Sequence, residues 1–248
     1  MKSYFEEFKV VEIQRTFYKI PRESTLEKWK IQAPEEFEFT IKATQLITHP
    51  STSPTYKKAN ISVPPSSQEN YGFFRPTEDV FSAWKLNKRA CDILNARICI
   101  FQTPKSFRPT DENLENMRTF FKRIERGNLT FGWEPRGKDW TEEIIKNLCK
   151  SLNLTHVTDP FKQLPIHITG GIAYFRLHGS PPGKKMYSYK YTEKDFTDLV
   201  EKLKELENSF NNTKKIYVMF NNIYMRNDAK AFSEVLVMKK KEIHFGHL

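Results

Sequence analysis

Short apolar runs alternate along the chain with longer stretches that carry apolar residues on one helical face. The runs with strand character are residues 10–13, 37–42, 97–102, 129–134, 155–158, 172–177 and 215–220. The stretches with helical character are residues 24–32, 78–95, 110–126, 141–152, 192–210 and 228–240. This alternation is typical of a parallel sheet covered by helices. Seven or eight such units in 248 residues predict a TIM-type (β/α)8 barrel that forms one domain over residues 1–248.

An open, doubly wound sheet is the alternative fold for the same alternation. That fold usually carries a glycine-rich turn, G-x-G-x-x-G, after an early strand, where it binds a phosphate. The chain has only 9 glycines and no such motif, which favours the barrel.

The segment 50–78 interrupts the alternation with a run rich in proline, serine and asparagine. A loop of this length in a compact domain is usually functional. We expect it to lie over the open end of the barrel as a lid, with Tyr56, Tyr71, Phe73 and Phe74 as its aromatic residues. These rings would either stack on a bound substrate or pack against the barrel.

The composition predicts a cytoplasmic protein without a membrane segment. No run of about 18 apolar residues occurs, the mean hydropathy is −0.63, and the N-terminus lacks the apolar core of a signal peptide. The cysteines, Cys91, Cys99 and Cys149, suit neither a disulfide framework nor a zinc site. The net charge is +10, from 40 Lys and Arg against 30 Asp and Glu. It would attract a polyanion such as nucleic acid, although a solvated lysine-rich surface would carry the same charge.

Polar residues follow the predicted strands at the points where the strands end. In a parallel barrel these ends meet at one face, and the active sites of such barrels lie there. The candidate site residues are Glu12, Lys42, His49, Gln102, Glu134, Arg136, Asp159, Arg176, His178, Asn221 and Asn222. Ion pairs that only stabilise a barrel would produce a similar set, so the prediction concerns the group more than any one member.

Three kinds of ionisable side chain in this set limit the chemistry. Carboxylates could act as general acids or bases or hold a divalent metal, cations could bind phosphate, and imidazoles could transfer protons or bind metal. The carboxylates are Glu12, Glu134 and Asp159, the cations are Lys42, Arg136 and Arg176, and the imidazoles are His49 and His178. No G-x-S-x-G nucleophile motif is present. The sequence identifies no particular metal or other cofactor.

Several of the candidate residues stand in longer motifs. These are residues 11–18 (VEIQRTFY), 39–42 (FTIK), 48–49 (TH), 101–104 (FQTP), 133–137 (WEPRG), 159–161 (DPF), 175–179 (FRLHG) and 220–222 (FNN). Together they resemble the YecE-like family, domain of unknown function 72, over about residues 3–228 and in the family's order. The form WEPRG and the stretch YGFFRPT are most similar to archaeal members. The resemblance implies a TIM-type barrel with these residues at its site, and it implies no established activity.

The chain departs from that family at its N-terminus. Residues 1–9 are similar to the end of the family's first helix, and the strand before that helix is missing. Residues 242–246, EIHFG, alternate like the missing strand, and a right-handed crossover would place them beside residues 10–13. We therefore expect either a barrel closed by residues 242–246, as in a circular permutant, or an open edge. An open edge would pair with a second copy of the chain.

These features predict an enzyme, either a metal-assisted or an acid–base hydrolase. Its substrate would be a small anion such as a phosphate ester, or a nucleic acid. The expected catalytic residues are Glu134, Glu12, Asp159 and His178, and the expected substrate-binding residues are Lys42, His49, Gln102, Arg136, Arg176, Asn221 and Asn222. Two alternatives are open: an acid–base enzyme for a sugar or sugar phosphate, and a barrel that binds nucleic acid or a metabolite without reaction.

Overall fold

The computed structural model describes residues 2–179 and 186–245, with the side chains of residues 3–179 and 186–238. The chain has an α/β fold and divides into two units, Met1–His156 and Val157–Leu248. In the described ranges, no helix is both long enough and apolar enough to cross a membrane.

Met1–His156 contains a sheet of five parallel strands in chain order. The strands are β1 Val10–Ile13, β2 Glu38–Lys42, β3 Ile98–Gln102, β4 Thr130–Glu134 and β5 Leu154–His156. Each strand pairs in parallel with the next. The central strands are buried, as expected for a parallel sheet that is covered on both faces, and Ile41, Ile100 and Phe131 are fully enclosed.

Helices connect these strands. In the described part of this unit they are α1 Lys2–Glu7, α2 Arg15–Tyr18, α3 Glu23–Gln32, α4 Gln45–Thr48, α5 Pro54–Lys58, α6 Glu78–Leu94, α7 Asp111–Arg123 and α8 Glu142–Leu152, with a 3₁₀ turn at Pro65–Asn70. Three of them begin after Thr77, Thr110 or Thr141, whose hydroxyl accepts a hydrogen bond from a backbone N–H of the first turn. Acidic residues follow in each first turn, where the positive end of the helix stabilises them.

An aromatic cluster fills the core of Met1–His156. Phe74, Phe101, Phe120 and Phe131 are fully buried, and the Phe74 ring centroid lies 5.4 Å from that of Phe120 and 6.0 Å from that of Phe101. Burial of a side chain of this size stabilises the fold by about 2–3 kcal/mol. Phe74 belongs to the segment 50–78, so this part of the predicted lid is anchored in the core and does not lie over a substrate.

Val157–Leu248 contains a two-stranded parallel sheet and two long helices. Its described elements are β6 Ile172–Leu177, a 3₁₀ turn at Met186–Ser188, α9 Glu193–Ser209, β7 Lys215–Phe220 and α10 Met225–Phe245. A capping box begins α9, in which Thr192 and Asp195 bond reciprocally to each other's backbone N–H groups. Apolar residues of both strands and both helices, among them Phe175, Leu199, Phe220 and Phe232, form one buried core.

The structure confirms the predicted α/β class, with parallel strands that alternate with helices, and it contains no closed barrel within the described residues. The prediction that residues 242–246 supply a strand is wrong for residues 242–245, because α10 continues through Phe245. Gly246 lies outside the described residues. A helix satisfies most of its own backbone N–H and C=O groups, so residues 242–245 offer no strand edge.

Candidate functional site

In Met1–His156, polar side chains occupy the last position of four neighbouring strands. Lys42 ends β2, Gln102 ends β3, Glu134 ends β4 and His156 ends β5. Gln102 is directly opposite Glu134 in the strand register. Because the carboxyl ends of parallel strands meet at one edge of a sheet, these residues stand side by side there.

Four of the predicted residues form a continuous hydrogen-bonded chain, which we call the strand-end row: Lys42, Gln102, Glu134 and Arg136. Lys42 Nζ donates to Gln102 Oε1 at 2.8 Å, and Gln102 Nε2 donates to Glu134 Oε2 at 2.8 Å. Arg136 donates to Glu134 Oε1 from Nε at 2.9 Å and from Nη2 at 2.6 Å. The row thus contains two cations and one carboxylate, joined partly by charge-assisted bonds.

The strand-end row is largely shielded from water. Lys42 is 7% exposed and Glu134 is 6% exposed, whereas the Arg136 side chain is 24% exposed. The Lys42 ammonium also lies 3.9 Å from the centroid of the Phe17 ring, within range of a cation–π interaction. Charges interact more strongly in such surroundings than in water. The ion pair between Arg136 and Glu134 is therefore stronger here than the same pair would be in water.

His49 lies just after α4, beside the strand-end row. Its Nδ1 is 2.8 Å from Thr48 Oγ1, and its ring packs edge-on against Phe17 with 4.9 Å between centroids. Burial lowers the pKa of His49 to about 3, and the positive charges of Lys42 and Arg136 add to this effect. The imidazole is therefore neutral near pH 7 and would act as a hydrogen-bonding group, not as a cation.

The segment 72–74 packs directly against the backbone of His49. Gly72 N donates to Leu46 O at 2.9 Å, and Phe74 N donates to Ile47 O at 2.9 Å. The φ angles of Gly72, Phe73 and Phe74 are +78°, +53° and +54°, a left-handed conformation that aromatic residues rarely adopt. A Cβ atom at Gly72 would overlap the His49 carbonyl group. Strain of this kind is typical of functional sites.

Glu12, a predicted catalytic residue, lies in β1 opposite Thr40. It is half-buried, and Gln14 Nε2 donates to its Oε1. Like Glu134, this carboxylate is therefore held by a neutral glutamine amide.

His156 is a site residue that the strand-end prediction missed. It is 2% exposed, and burial lowers its pKa to about 4, although the Glu134 carboxylate acts in the opposite direction. The opposing effect means that His156 and Glu134 are electrostatic neighbours. The predicted strand ran over residues 155–158, so it placed His156 inside the strand, whereas β5 ends at His156.

In Val157–Leu248, Asp159 stands beside the end of β6. Its Oδ1 accepts a hydrogen bond from Phe161 N at 3.1 Å, and its Oδ2 accepts one from His178 N at 3.3 Å. Burial raises the pKa of Asp159, although these two N–H groups act in the opposite direction. A carboxyl group with a raised pKa is better able to exchange a proton near neutral pH.

Arg176 and Asn221 come together across β6 and β7. With its amide oriented so that Oδ1 faces the guanidinium, Asn221 accepts from Arg176 Nη2 at 2.9 Å and from Nε at 3.2 Å. Arg176 is 2% exposed. The neighbouring His178 is 4% exposed, and its ring packs edge-on against Tyr187 with 5.8 Å between centroids.

Asn222 contacts residues that are not among the predicted site residues. Its Nδ2 donates to Asp228 Oδ2 at 2.5 Å and to Tyr189 O at 2.8 Å. Tyr191 N donates to the same Asp228 oxygen at 3.4 Å, and the Tyr191 hydroxyl oxygen accepts from Gly179 N at 2.9 Å. The sequence shows Asp228 six residues after Asn222, but it does not show that the two side chains meet.

The described residues form no cluster of side chains that could bind a metal ion. Across residues 2–179 and 186–245, no three His, Cys, Asp or Glu side chains lie together in an arrangement that could hold a metal ion. The predicted carboxylates are bound instead to Arg, Gln and backbone N–H groups.

The chain is similar to proteins of one family along nearly its whole length. The model of the family described as "Protein of unknown function DUF72" matches residues 1–244. The UPF0759 protein YunF of Bacillus subtilis is 23% identical over 247 residues, which cover 90% of this chain and 80% of the relative.

Two solved structures of DUF72 family proteins have a similar fold. The structure from Thermotoga maritima has a TM-score of 0.66 at 23% identity and covers 92% of this chain and 85% of its own. The structure from Enterococcus faecalis has a TM-score of 0.69 at 18% identity and covers 95% of this chain and 92% of its own. These matches concern the fold and do not identify a substrate.

Proposed function

The chain belongs to the DUF72 family of proteins of unknown function, and from that premise we propose that it is an enzyme that acts on a phosphate-containing anion at the carboxyl ends of its strands. The observation that carries this proposal is the strand-end row. Two cations, Lys42 and Arg136, lie there in one hydrogen-bonded row, and Lys and Arg side chains at strand ends are groups that bind phosphate. The net charge of +10 would increase the rate at which such a substrate arrives.

The proposed roles follow from the contacts of each residue. Arg136 and Lys42 hold the phosphate, because the Arg136 guanidinium is partly exposed and the Lys42 ammonium is desolvated beside Phe17. Glu134 accepts a proton once substrate has displaced its bond to Arg136, and Asp159 supplies or takes up a proton because its pKa is raised.

The other candidates would bind and orient the substrate or assist proton transfer. Gln102, with its amide fixed between Lys42 and Glu134, would orient the substrate. Arg176 with Asn221 would hold a second anionic group. The other assisting residues are Glu12, His49, His178 and Asn222. If a divalent metal takes part, Glu134 and Glu12 are the carboxylates we expect to contribute to its binding.

We further propose that both units belong to one TIM-type barrel and unfold as a single domain. All strand pairs are parallel, and the similar solved structures cover 92% and 95% of the chain. All 4 tryptophans lie in Met1–His156, so their fluorescence reports on that unit, whereas far-UV circular dichroism reports on the whole chain. We expect the two signals to give the same urea midpoint. Separate midpoints would contradict the single domain.

The direct test is a panel of phosphate esters with matched variants. The panel is p-nitrophenyl phosphate, bis(p-nitrophenyl) phosphate and a single-stranded oligonucleotide, each with and without Mg²⁺. We expect hydrolysis of at least one, reduced by about a hundredfold or more in Glu134→Gln and Lys42→Met. The exposed control variants Glu27→Gln and Lys85→Met should retain activity.

Other outcomes of this panel would assign a different function. Salt-sensitive retention of the oligonucleotide without hydrolysis would indicate a binding protein. Binding and hydrolysis that are both unaffected by Arg136→Ala and Arg176→Ala would contradict every version of an anion site at the strand ends.

A further inference from the structure

Asn222 is buried with its side-chain amide held in one orientation. It is 2% exposed and lies two residues after the end of β7. Its Nδ2 donates to two acceptors, Asp228 Oδ2 at 2.5 Å and Tyr189 O at 2.8 Å. Both acceptors require the nitrogen end of the amide, so the assignment of the two amide atoms is settled by the hydrogen bonds.

This orientation leaves Asn222 Oδ1 as a buried acceptor with no hydrogen-bond partner in the described part of the chain. A buried polar atom without a partner destabilises the folded state. Native structures contain few such atoms, and those present call for an explanation in terms of function.

Asp228, the partner of Asn222, is also an acceptor. It is 2% exposed and lies in the first turn of α10. Its Oδ2 accepts from Tyr191 N at 3.4 Å as well as from Asn222, and in the described ranges no Lys or Arg forms an ion pair with it. Two N–H donors and the start of a helix stabilise its charge. A neutral hydrogen-bond donor is therefore a better match than a cation for Asp228 and Asn222 Oδ1.

The backbone that completes this site packs unusually closely. Gly179 has a φ of +100°, and a Cβ atom there would overlap Met186 O and the side chain of Tyr189. Glycine is therefore required if the 186–189 segment is to approach the end of β6 and place Tyr189 O against Asn222. The acceptor group is thus supported from β6, from β7 and from α10.

We propose that Asn222 Oδ1 and the Asp228 carboxylate bind neighbouring hydroxyl groups of the substrate, and that the substrate is a phosphorylated sugar. One hydrogen bond holds the Asn222 amide beside the Asp228 carboxylate. Asn222 Oδ1 and the carboxylate are therefore neighbouring acceptors, and they match two adjacent hydroxyls that each donate one hydrogen bond. They would repel a phosphate. The adjacent Asn221 is bonded to Arg176, so a group that binds anions stands next to the group that binds hydroxyls. This inference rests on the proposed function and adds the sugar to it.

The test compares three ligands by isothermal titration calorimetry: inorganic phosphate, methyl phosphate and ribose 5-phosphate. We expect ribose 5-phosphate to bind at least about tenfold more tightly than methyl phosphate, since one hydrogen bond to a charged group is worth about that much. Asp228→Asn should remove most of this difference and leave the affinity for inorganic phosphate unchanged, and Asn222→Ser should also remove most of the difference. The exposed control variants are Asp198→Asn on α9 and Asn227→Ser on α10.

The outcomes separate this inference from the proposed function. Equal affinities for methyl phosphate and ribose 5-phosphate in the unaltered chain would overturn the hydroxyl site and leave the anion site standing, and this comparison needs no variant to fold. A preference for ribose 5-phosphate that survives both substitutions would also overturn it, because the hydroxyls would bind elsewhere. No binding of any of the three at millimolar concentration would overturn both proposals.

Discussion

The strand ends of Met1–His156 and those of Val157–Leu248 stabilise their carboxylates in different ways. In the first unit, Glu134 accepts two bonds from the Arg136 guanidinium and a third from Gln102, which in turn binds the Lys42 ammonium. In the second, Asp159 and Asp228 are held by backbone N–H groups and by the Asn222 amide. One unit pairs its buried anion with cations, whereas the other surrounds its anions with dipoles.

This difference determines which kind of ligand each set of strand ends can bind. A guanidinium bound to a carboxylate can exchange it for another anion, so the strand-end row is suited to a phosphate. Carboxylates held by N–H donors keep oxygen lone pairs for further donors, so Asp228 is suited to hydroxyl groups. The same position at the end of a strand therefore serves two kinds of recognition.

The largest expected effect concerns the support under His49. Gly72→Ala should lower the free energy of unfolding by more than about 3 kcal/mol, because it combines an unfavourable left-handed residue with overlap on the His49 carbonyl. Gly170→Ala in the second unit is the matched control, since Gly170 has a φ of +63° but no atom within 4 Å of the added Cβ. It should cost about 1 kcal/mol. Similar losses in urea unfolding would show that the contact with His49 is unimportant.

A smaller effect is expected from breaking the charge pairing of the first unit. Glu134→Ala should lower the free energy of unfolding by about 2–3 kcal/mol, because it removes the carboxylate that accepts two hydrogen bonds from the partly buried Arg136 and one from Gln102. The double variant Glu134→Ala/Arg136→Met should recover part of this loss, since the guanidinium that lost its carboxylate is then absent. Equal stability of the single variant and the unaltered chain would mean that the row contributes nothing to folding.

The smallest expected effect concerns the pH dependence of the free energy of unfolding. His49 and His156 have folded-state pKa values of about 3 and about 4, below the ordinary value of about 6.5. Their neutral forms therefore stabilise the fold above about pH 6.5, and this contribution is lost as the pH falls toward 4. His49→Gln should reduce the stability lost between pH 7 and pH 4.5 by about 2 kcal/mol, measured by urea unfolding at each pH.

The second unit supplies the contrast for that measurement. Burial raises the pKa of Asp159, so its contribution to stability is present at low pH and is lost as the pH rises through the raised pKa. Asp159→Asn should therefore change the pH profile in the opposite sense to His49→Gln. Profiles that change in the same sense would contradict a raised pKa of the buried Asp159 carboxyl.

The strands were predictable because buried parallel strands appear as short apolar runs. The predicted limits of β1, β6 and β7 agree with the structure, and those of β2, β3 and β4 differ by one residue at the start. The placement of Lys42, Gln102 and Glu134 followed from the same rule, because a parallel sheet brings strand ends to one edge. The expectation of a closing strand failed for residues 242–245 because alternation over a few residues is weaker than the tendency of a preceding helix to continue.

Other parts of the site depend on packing that no local pattern contains. Phe17 approaches Lys42, and Tyr191 approaches Asp228, across long separations in sequence. The lowered pKa of His49 is a product of burial, and burial depends on the segment 50–78 folding back over α4. The sequence of that segment indicated a long loop, whereas its core anchor, Phe74, could not be distinguished from the exposed aromatic residues of a lid.

The Gln102 side-chain amide is oriented within the strand-end row. Its oxygen faces an ammonium group and its nitrogen faces a carboxylate, so the two ends of this side chain are not interchangeable. Exchanging the charges at positions 42 and 134 would require the amide to turn over, and a glutamate at 102 would place one carboxylate against another. Gln102 thus joins a positive group on one strand to a negative group on another without carrying a charge of its own.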